Sequence, residues 1–285
     1  MNSIRTHAKI NLSLDVTEKR KDGYHNIDSI FEEISLYDTI TISKNDSHSV
    51  TVKCNVSDIP CNEHNIAYKA ALAFFEETGI DHSGICISIE KNIPSQAGMG
   101  GGSTNAAGVL KLLNSIFNAG LSDQQLMDIG LKTGADTPFF IKGGLARVTG
   151  VGEKIKTLPS LPHHFIVVAK GKAGISTPQA YKEIDGLIDP PHQNTEFILS
   201  CISDGNITSL MKQCINTFEL TEHPEDINII KSIMYKHNTL GSLMTGSGSA
   251  VFGIFTDLDT AQQACNELKN LFPFAGLYTN ITEIG

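Results

Sequence analysis

The chain has 285 residues, 40% of them hydrophobic and 19% charged, which suits a globular protein with a core of one large domain or two ordinary ones. Its formal net charge of −9 argues against nucleic acid or an anionic membrane as main partner. No window approaches the ~20 apolar residues of a membrane span, and residues 1–10 lack the apolar core of a signal peptide. The six cysteines at 54, 61, 86, 201, 214 and 265 form no Cys-x-x-Cys pair, which suits reduced thiols and a cytoplasmic location.

Residues 8–16 alternate: Ala8, Ile10, Leu12, Leu14 and Val16 fall on one face, and Lys9, Asn11, Ser13 and Asp15 on the other. This is a strand with one apolar face, and Lys9 and Asn11 project together about 7 Å apart. Lys9 is then either a solvated strand lysine or a charge kept for a ligand. A turn at Lys21-Asp22-Gly23 leads to Tyr24-His25, which reads as a turn flank. Further strands are expected over 27–36, 39–43 and 49–54. Asn65 is a good N-cap for a helix with Ala67, Ala70, Ala71, Phe74 and Phe75 on one stripe, and Gly79 fits its C-terminal stop.

A strand over 84–90 precedes the most informative stretch, Pro94-Ser95-Gln96-Ala97-Gly98-Met99-Gly100-Gly101-Gly102-Ser103-Thr104-Asn105, and a helix over 103–118 follows it. Glycine lets the backbone approach a ligand closely. A helix N-terminus behind such a loop presents free N–H groups and a positive dipole end to an anion. The stretch reads as a phosphate cradle. No lysine follows the glycines as a Walker loop requires, and Ser103 takes the last glycine position of a dinucleotide fingerprint. A merely mobile loop is the plainer alternative, but four glycines in five positions cost considerable folding entropy.

Ser122 with Gln125 makes a capping box for a helix ending near Gly134. Asp136 then sits in Gly134-Ala135-Asp136-Thr137-Pro138-Phe139-Phe140, where an Asx-turn before Pro138 accounts for it as well as a functional acid does. Two prolines within 157–164 mark a boundary between domains 1–157 and 158–285. His163-His164 reads as surface, since neighbours in a strand face opposite ways. Beyond it come a strand over 165–170, a helix capped by Thr177 with Pro178 at its first position, and a helix over 224–237. A second glycine segment, Met244-Thr245-Gly246-Ser247-Gly248-Ser249-Ala250-Val251-Phe252, reads equally as a tight turn or a ligand loop. A strand over 251–255, a helix over 259–271 and a strand over 277–282 end the chain. Strands and helices mix without regular alternation, so the fold class is α+β.

A phosphate cradle, an acid and a strand lysine together suggest phosphoryl transfer, a reaction dominated by positioning and charge stabilisation. Ser103 and Thr104 could bond phosphate or ligate Mg²⁺; no residue is fixed as a metal ligand. Asp136 could accept the proton of an attacking hydroxyl. Lys9 could hold that carboxylate ionised, a pairing worth about 4 kcal/mol at ~4 Å and an effective dielectric near 20.

Taken together these residues resemble the GHMP kinase superfamily, whose three motifs occur in order: Ala8-Lys9-Ile10-Asn11-Leu12, Pro94–Thr104 and Met244–Phe252. Arg20-Lys21-Asp22-Gly23-Tyr24-His25 and the segment around Asp136 are similar to the branch that acts on a cytidyl-diphosphate-linked methylerythritol. The resemblance implies an N-terminal ribosomal-S5-domain-2-like unit, a C-terminal ferredoxin-like unit and a site in the cleft between them. It implies ATP and Mg²⁺ as cofactors and phosphorylation of the substrate's 2-hydroxyl, in the non-mevalonate route to isoprenoids. Lys9 and Asp136 match the catalytic pair. Asn11, Tyr24, His25, Thr177 and Tyr181 match substrate positions, with His25 reading the cytosine edge, Tyr24 stacking near it and Tyr181 sandwiching the base. Gly246, Ser247 and Gly248 are taken with the substrate, and Asn65 and Lys91 match positions near adenine and phosphates. Met99 and Thr104 replace the usual leucine and serine, and Ala169–Gly174 replaces the usual Lys-Pro-Gly. The Gly23-Tyr24-His25 turn and Tyr181 argue against a homoserine- or mevalonate-type kinase, whose substrates have no base to stack. A regulator without catalysis would not need both Lys9 and Asp136, and an RNA-binding S5-like module sits poorly with the net charge.

Overall fold

The structure is a computed structural model and describes residues 2–45, 47–81 and 84–282. In chain order, β1 (Ser3–Lys19) and β2 (His25–Lys44) form a long hairpin. Then come β3 (Val50–Cys54), α1 (Ile66–Thr78), β4 (Ile85–Glu90), α2 (Gly101–Ile116), α3 (Asp123–Leu131), α4 (Thr137–Lys142), β5 (Leu145–Gly150) and β6 (Lys154–Thr157). They are followed by β7 (Phe165–Lys170), α5 (Thr177–Ile184), α6 (Thr195–Ser203), α7 (Ile207–Met211) and a 3-10 turn at Thr217–Leu220. The last elements are α8 (Glu225–Lys236), β8 (Gly241–Met244), β9 (Ala250–Phe255), α9 (Leu258–Leu271) and β10 (Phe274–Thr279).

Local chemistry sets several boundaries as the sequence leads one to expect. Asn65 Oδ1 accepts the Ala67 N–H at 2.9 Å and caps α1, and Gly79 ends it in the left-handed region at φ 64°. Ser122 and Gln125 close the reciprocal capping box of α3. Elsewhere the expectation shifts. Strands expected over 27–36 and 39–43 are one strand, β2, because Asp38 is fully buried and bonded from within and forms no turn. α2 starts at Gly101, two residues early, because Gly100 adopts φ 68° as its N-cap. Ser176, not Thr177, is the N-cap of α5, and the last strand ends at Thr279.

Compactness divides the chain into two units that differ from the expected 157/158 boundary. Unit 1 comprises residues 1–8, 36–95 and 100–143; unit 2 comprises 9–35, 96–99 and 144–285. β1 and β2 each contribute residues to both. In unit 1, β4 runs parallel to β3 and antiparallel to residues 39–44 of β2. α1 packs on α2, and Ala67, Ala70, Ala71 and Phe74 of α1 and Ala106, Ala107, Val109 and Leu110 of α2 are all buried. Cutting Phe74 back to alanine costs about 3–5 kcal/mol in such a core.

In unit 2, residues 27–32 of β2 pair antiparallel with β5, and β5 with β6. A second sheet has the order β10-β7-β9-β8, antiparallel throughout, with α8 and α9 packed on it. The run β7, α8, β8, β9, α9, β10 in that order is the split β-α-β of a ferredoxin-like unit. The α+β expectation is met.

His163-His164 is a correction. His163 is exposed, but His164 is 1% exposed, with Nε2 3.2 Å from Glu32 and Nδ1 2.8 Å from the Pro162 carbonyl.

Candidate active site

In unit 1 the glycine stretch runs into α2 with no side-chain cap and no acidic residue in the first turn. A helix of sixteen residues thus begins with N–H groups that no side chain caps, behind a glycine-rich turn, which suits a phosphate. Ser103 lies beside the turn that carries Asp136: a Cβ placed on Gly134 would sit 3.4 Å from Ser103 Oγ and 3.3 Å from Thr137 Oγ1. Asp136 stands just before α4 in helical conformation, and its side chain makes no capping bond to that helix. Thr104 is 2% exposed and buried in α2, so Ser103 is the hydroxyl of the pair available to a ligand. Among the described residues no three His, Cys, Asp or Glu side chains cluster. A Mg²⁺ ion here would rest mainly on phosphate oxygens, as is usual for this cation, with the Ser103 hydroxyl as protein partner.

Lys91, Asn65 and Asn105 do structural work in unit 1. Lys91 Nζ donates to Asp38 Oδ2 at 2.5 Å and Asn105 Nδ2 to the same oxygen at 2.8 Å. Asp38 Oδ1 accepts the backbone N–H groups of Asn92 and Ile93 at 2.7 and 2.8 Å. Asp38 is thus a buried anchor that holds the segment leading into Pro94 and Ser95. Burial pushes the Lys91 ammonium pKa down, against the opposing pull of Asp38. Asn65 spends its oxygen on Ala67 and its Nδ2 on the Pro60 carbonyl. Asp38 was missed at the sequence level. The signal was present, because it interrupts the inward series Leu36, Ile40 and Ile42.

In unit 2 the polar face of β1 is not solvated. Lys9, Asn11, Ser13 and Asp15 are each 3% exposed or less. Lys9 Nζ donates to Asn11 Oδ1 at 2.6 Å and lies 4.4 Å from the Phe31 ring centre. Asn11 Oδ1 also accepts Gly246 N–H at 2.8 Å, and Asn11 Nδ2 donates to Ser29 Oγ at 2.9 Å. Fully buried, Asn11 links Lys9 to the second glycine segment. The Lys9 N–H donates to the Met99 carbonyl at 3.1 Å, which ties the lysine to the first glycine segment as well. Gln96 and Ala97 belong to the same unit, where the Gln96 carbonyl accepts the Ser249 N–H. Gly98 and Gly246, at φ 70° and 57°, pack backbone to backbone. Gly248 lies at φ 94°. Asn216, also missed at the sequence level, donates Nδ2 to the Met244 and Gly246 carbonyls at 2.6 and 2.9 Å. No local pattern marks it, because its partners lie some thirty residues on.

The expected substrate wall is assembled within unit 2. Thr177 Oγ1 and Ser247 Oγ are 2.7 Å apart. The His25 ring stacks on Tyr181, centroids 4.7 Å apart and planes at 19°, and Tyr181 meets Phe218 edge-on at 5.0 Å. His25 Nε2 lies 2.8 Å from Asp185 Oδ1. Tyr24 is 66% exposed, a large aromatic face open to a ligand. With His25 against one face of Tyr181, a base cannot enter between those two rings while they stack at this distance.

A family model described as "GHMP kinases N terminal domain" matches residues 65–144, and one described as "GHMP kinases C terminal" matches residues 205–273. A protein named 4-diphosphocytidyl-2-C-methyl-D-erythritol kinase from Caldicellulosiruptor bescii is 44% identical over 269 residues, 93% of each chain. A crystal structure of a 4-(cytidine 5'-diphospho)-2C-methyl-D-erythritol kinase superposes with a TM-score of 0.81 at 31% identity, over 98% of both chains. L. major mevalonate kinase, at 15% identity, shares the fold with a TM-score of 0.78 over 100% of this chain and 97% of that one. The chain belongs to the GHMP kinases, phosphotransferases that act on small molecules.

Proposed function

We infer that this chain transfers the γ-phosphoryl group of ATP to the 2-hydroxyl of 4-diphosphocytidyl-2-C-methyl-D-erythritol. The observation that carries the phosphoryl-transfer half is the uncapped start of α2 behind the glycines, with Asp136 on the turn beside Ser103. The full-length similarity to the Caldicellulosiruptor bescii kinase supports the choice of substrate. The amides of Gly100, Gly101 and Gly102 and the Ser103 hydroxyl hold phosphate oxygens. Asp136 orients the attacking hydroxyl and takes its proton. Lys9, steadied by Asn11, is the second member of the proposed catalytic pair. Mg²⁺, when bound with ATP, neutralises phosphate charge. Tyr24 and Tyr181 offer the flat surfaces for cytosine, with His25 at its edge and Thr177, Ser247, Gly246 and Gly248 toward the diphosphate. We assign ATP binding to an N-terminal domain over 1–157, followed by a C-terminal domain over 158–285. No helix among the described residues is long and apolar enough to cross a membrane. We place the enzyme in the cytoplasm, with no nucleic-acid partner.

Coupled detection of ADP release tests this reading, with the cytidyl substrate, homoserine and mevalonate offered in parallel. Turnover with the cytidyl substrate alone is expected. Turnover with homoserine or mevalonate instead would overturn it.

A further inference from the structure

The His25 imidazole is held more tightly than a residue that merely flanks a turn. Its side chain is only 7% exposed. One face lies on Tyr181, and Nε2 meets Asp185. The Asp185 carboxylate is itself gripped by the Lys19 ammonium. The other ring nitrogen, Nδ1, has no hydrogen-bond partner among the described residues. A buried polar atom without a partner calls for an explanation, and a ligand is one. The carboxylate can only accept, and Lys19 and His25 together hold the Asp185 pKa below the usual carboxylate range. The proton must therefore sit on Nε2, and a neutral ring leaves Nδ1 as an acceptor with a fixed direction.

We propose that Asp185 is a positioning residue that sets the base specificity of this site. It fixes the Nε2–H tautomer of His25, so that Nδ1 accepts a hydrogen bond from an exocyclic amino group. An amino-bearing pyrimidine then satisfies the buried acceptor. A pyrimidine with a carbonyl at the same position sets two acceptors against each other and leaves Nδ1 unpaired, which is the costly outcome. The ligand class is a cytosine nucleotide rather than a uracil nucleotide. This inference rests on the pyrimidine-linked substrate proposed above and adds the group that discriminates within it. Lys19 supports it at one remove by holding the carboxylate.

Two measurements test it on the full-length protein. The first is imidazole ¹⁵N NMR of His25 without ligand, at a pH where the ring is neutral. The expected result is a proton on Nε2 in the parent and a mixture of tautomers in Asp185→Ala. A parent proton on Nδ1 overturns the proposal. The second is calorimetric binding of CDP and UDP. The parent is expected to favour CDP, and Asp185→Ala to lose about tenfold of that preference, one hydrogen bond's worth. Asp185→Asn, whose amide oxygen still accepts, is expected to keep most of it. Equal loss in both variants, or no loss in Asp185→Ala, overturns the proposal. In turnover assays Asp185→Ala is expected to raise KM for the cytidyl substrate with little change in kcat, whereas a general folding defect lowers both the active fraction and the ATP response. Should the parent fail to phosphorylate the cytidyl substrate yet still prefer CDP, the kinase reading fails and this one stands.

Discussion

A methyl group added to Gly98 would lie 2.0 Å from the backbone carbonyl oxygen of Thr245, so the two glycine-rich segments meet at a point where no side chain fits. Gly98 is also at φ 70°, a region costly for any residue with a Cβ. The contact is with backbone, which cannot swing aside. Gly98→Ala is therefore expected to destabilise the protein by more than about 2 kcal/mol, read as a lowered urea midpoint.

Gly102 lies in the same stretch and behaves differently. A Cβ there would meet only the tip of Ile66, at 3.1 Å. Gly102→Ala should leave the urea midpoint within about 1 kcal/mol of the parent, because the Ile66 tip can shift. The added methyl covers the exposed first turn of α2, where phosphate is expected. ATP affinity measured by calorimetry should fall about tenfold or more. Gly101 is a poorer choice for this test, since its Cβ would press on Lys91 Nζ at 2.7 Å.

The Lys91–Asp38 pair is 6% and 0% exposed at its side chains. Removing one partner strands a buried charge, which costs about 3–5 kcal/mol. Lys91→Met and Asp38→Asn should each be strongly destabilising in urea titrations. The double variant should cost clearly less than the sum, because the stranded charge is gone. Additive losses would mean that Asp38 acts mainly through Asn92 and Ile93.

His164 gives the fold a pH dependence of known sign. Burial alone would lower its pKa, but the charge and hydrogen bond of Glu32 and the Pro162 carbonyl raise it above the ordinary value of 6.5. The unfolded chain then releases this proton first as pH rises. Stability from the pair is complete below the ordinary value and is lost as pH climbs through the raised one. Urea midpoints measured from about pH 6 to about pH 9 should fall in the parent, and His164→Gln should remove that part of the slope.

Thiol titration offers a check on burial. Burial pushes the Cys214 thiol up to about 12, whereas Cys61 is exposed. A disulfide-exchange reagent should label Cys61 in the native protein and reach Cys214 only after unfolding.

How far the sequence carried can be judged from these residues. The alternation of β1, the caps at Asn65, Gly79 and Ser122, and both glycine segments were legible because each depends on neighbours within a few positions. Lys9 was open between a solvated and a functional lysine, and its burial decides against the solvated reading. What covers that polar face includes Thr245, 234 residues away from Asn11. The two strands expected around Tyr37 are one, because the partners of Asp38 lie at Lys91 and Asn105, out of reach of any local rule. His164 was misjudged for the same reason, since Glu32 is 132 residues distant. The likeness to a family supplied roles for single residues, and the structure adds Asp38, Asn216, Thr245 and Asp185, which hold those residues in place.

Asp136→Asn tests the central claim most directly, because it keeps the shape of the side chain and removes its ability to take a proton. Single-turnover phosphorylation of the cytidyl substrate should slow by about 10²–10⁴-fold, the usual worth of a positioned base. ATP affinity, measured alongside, should stay within about twofold, since the cradle is built from α2 and not from this carboxylate. A near-parental rate in that variant would contradict the assignment of Asp136 as the group that accepts the hydroxyl proton.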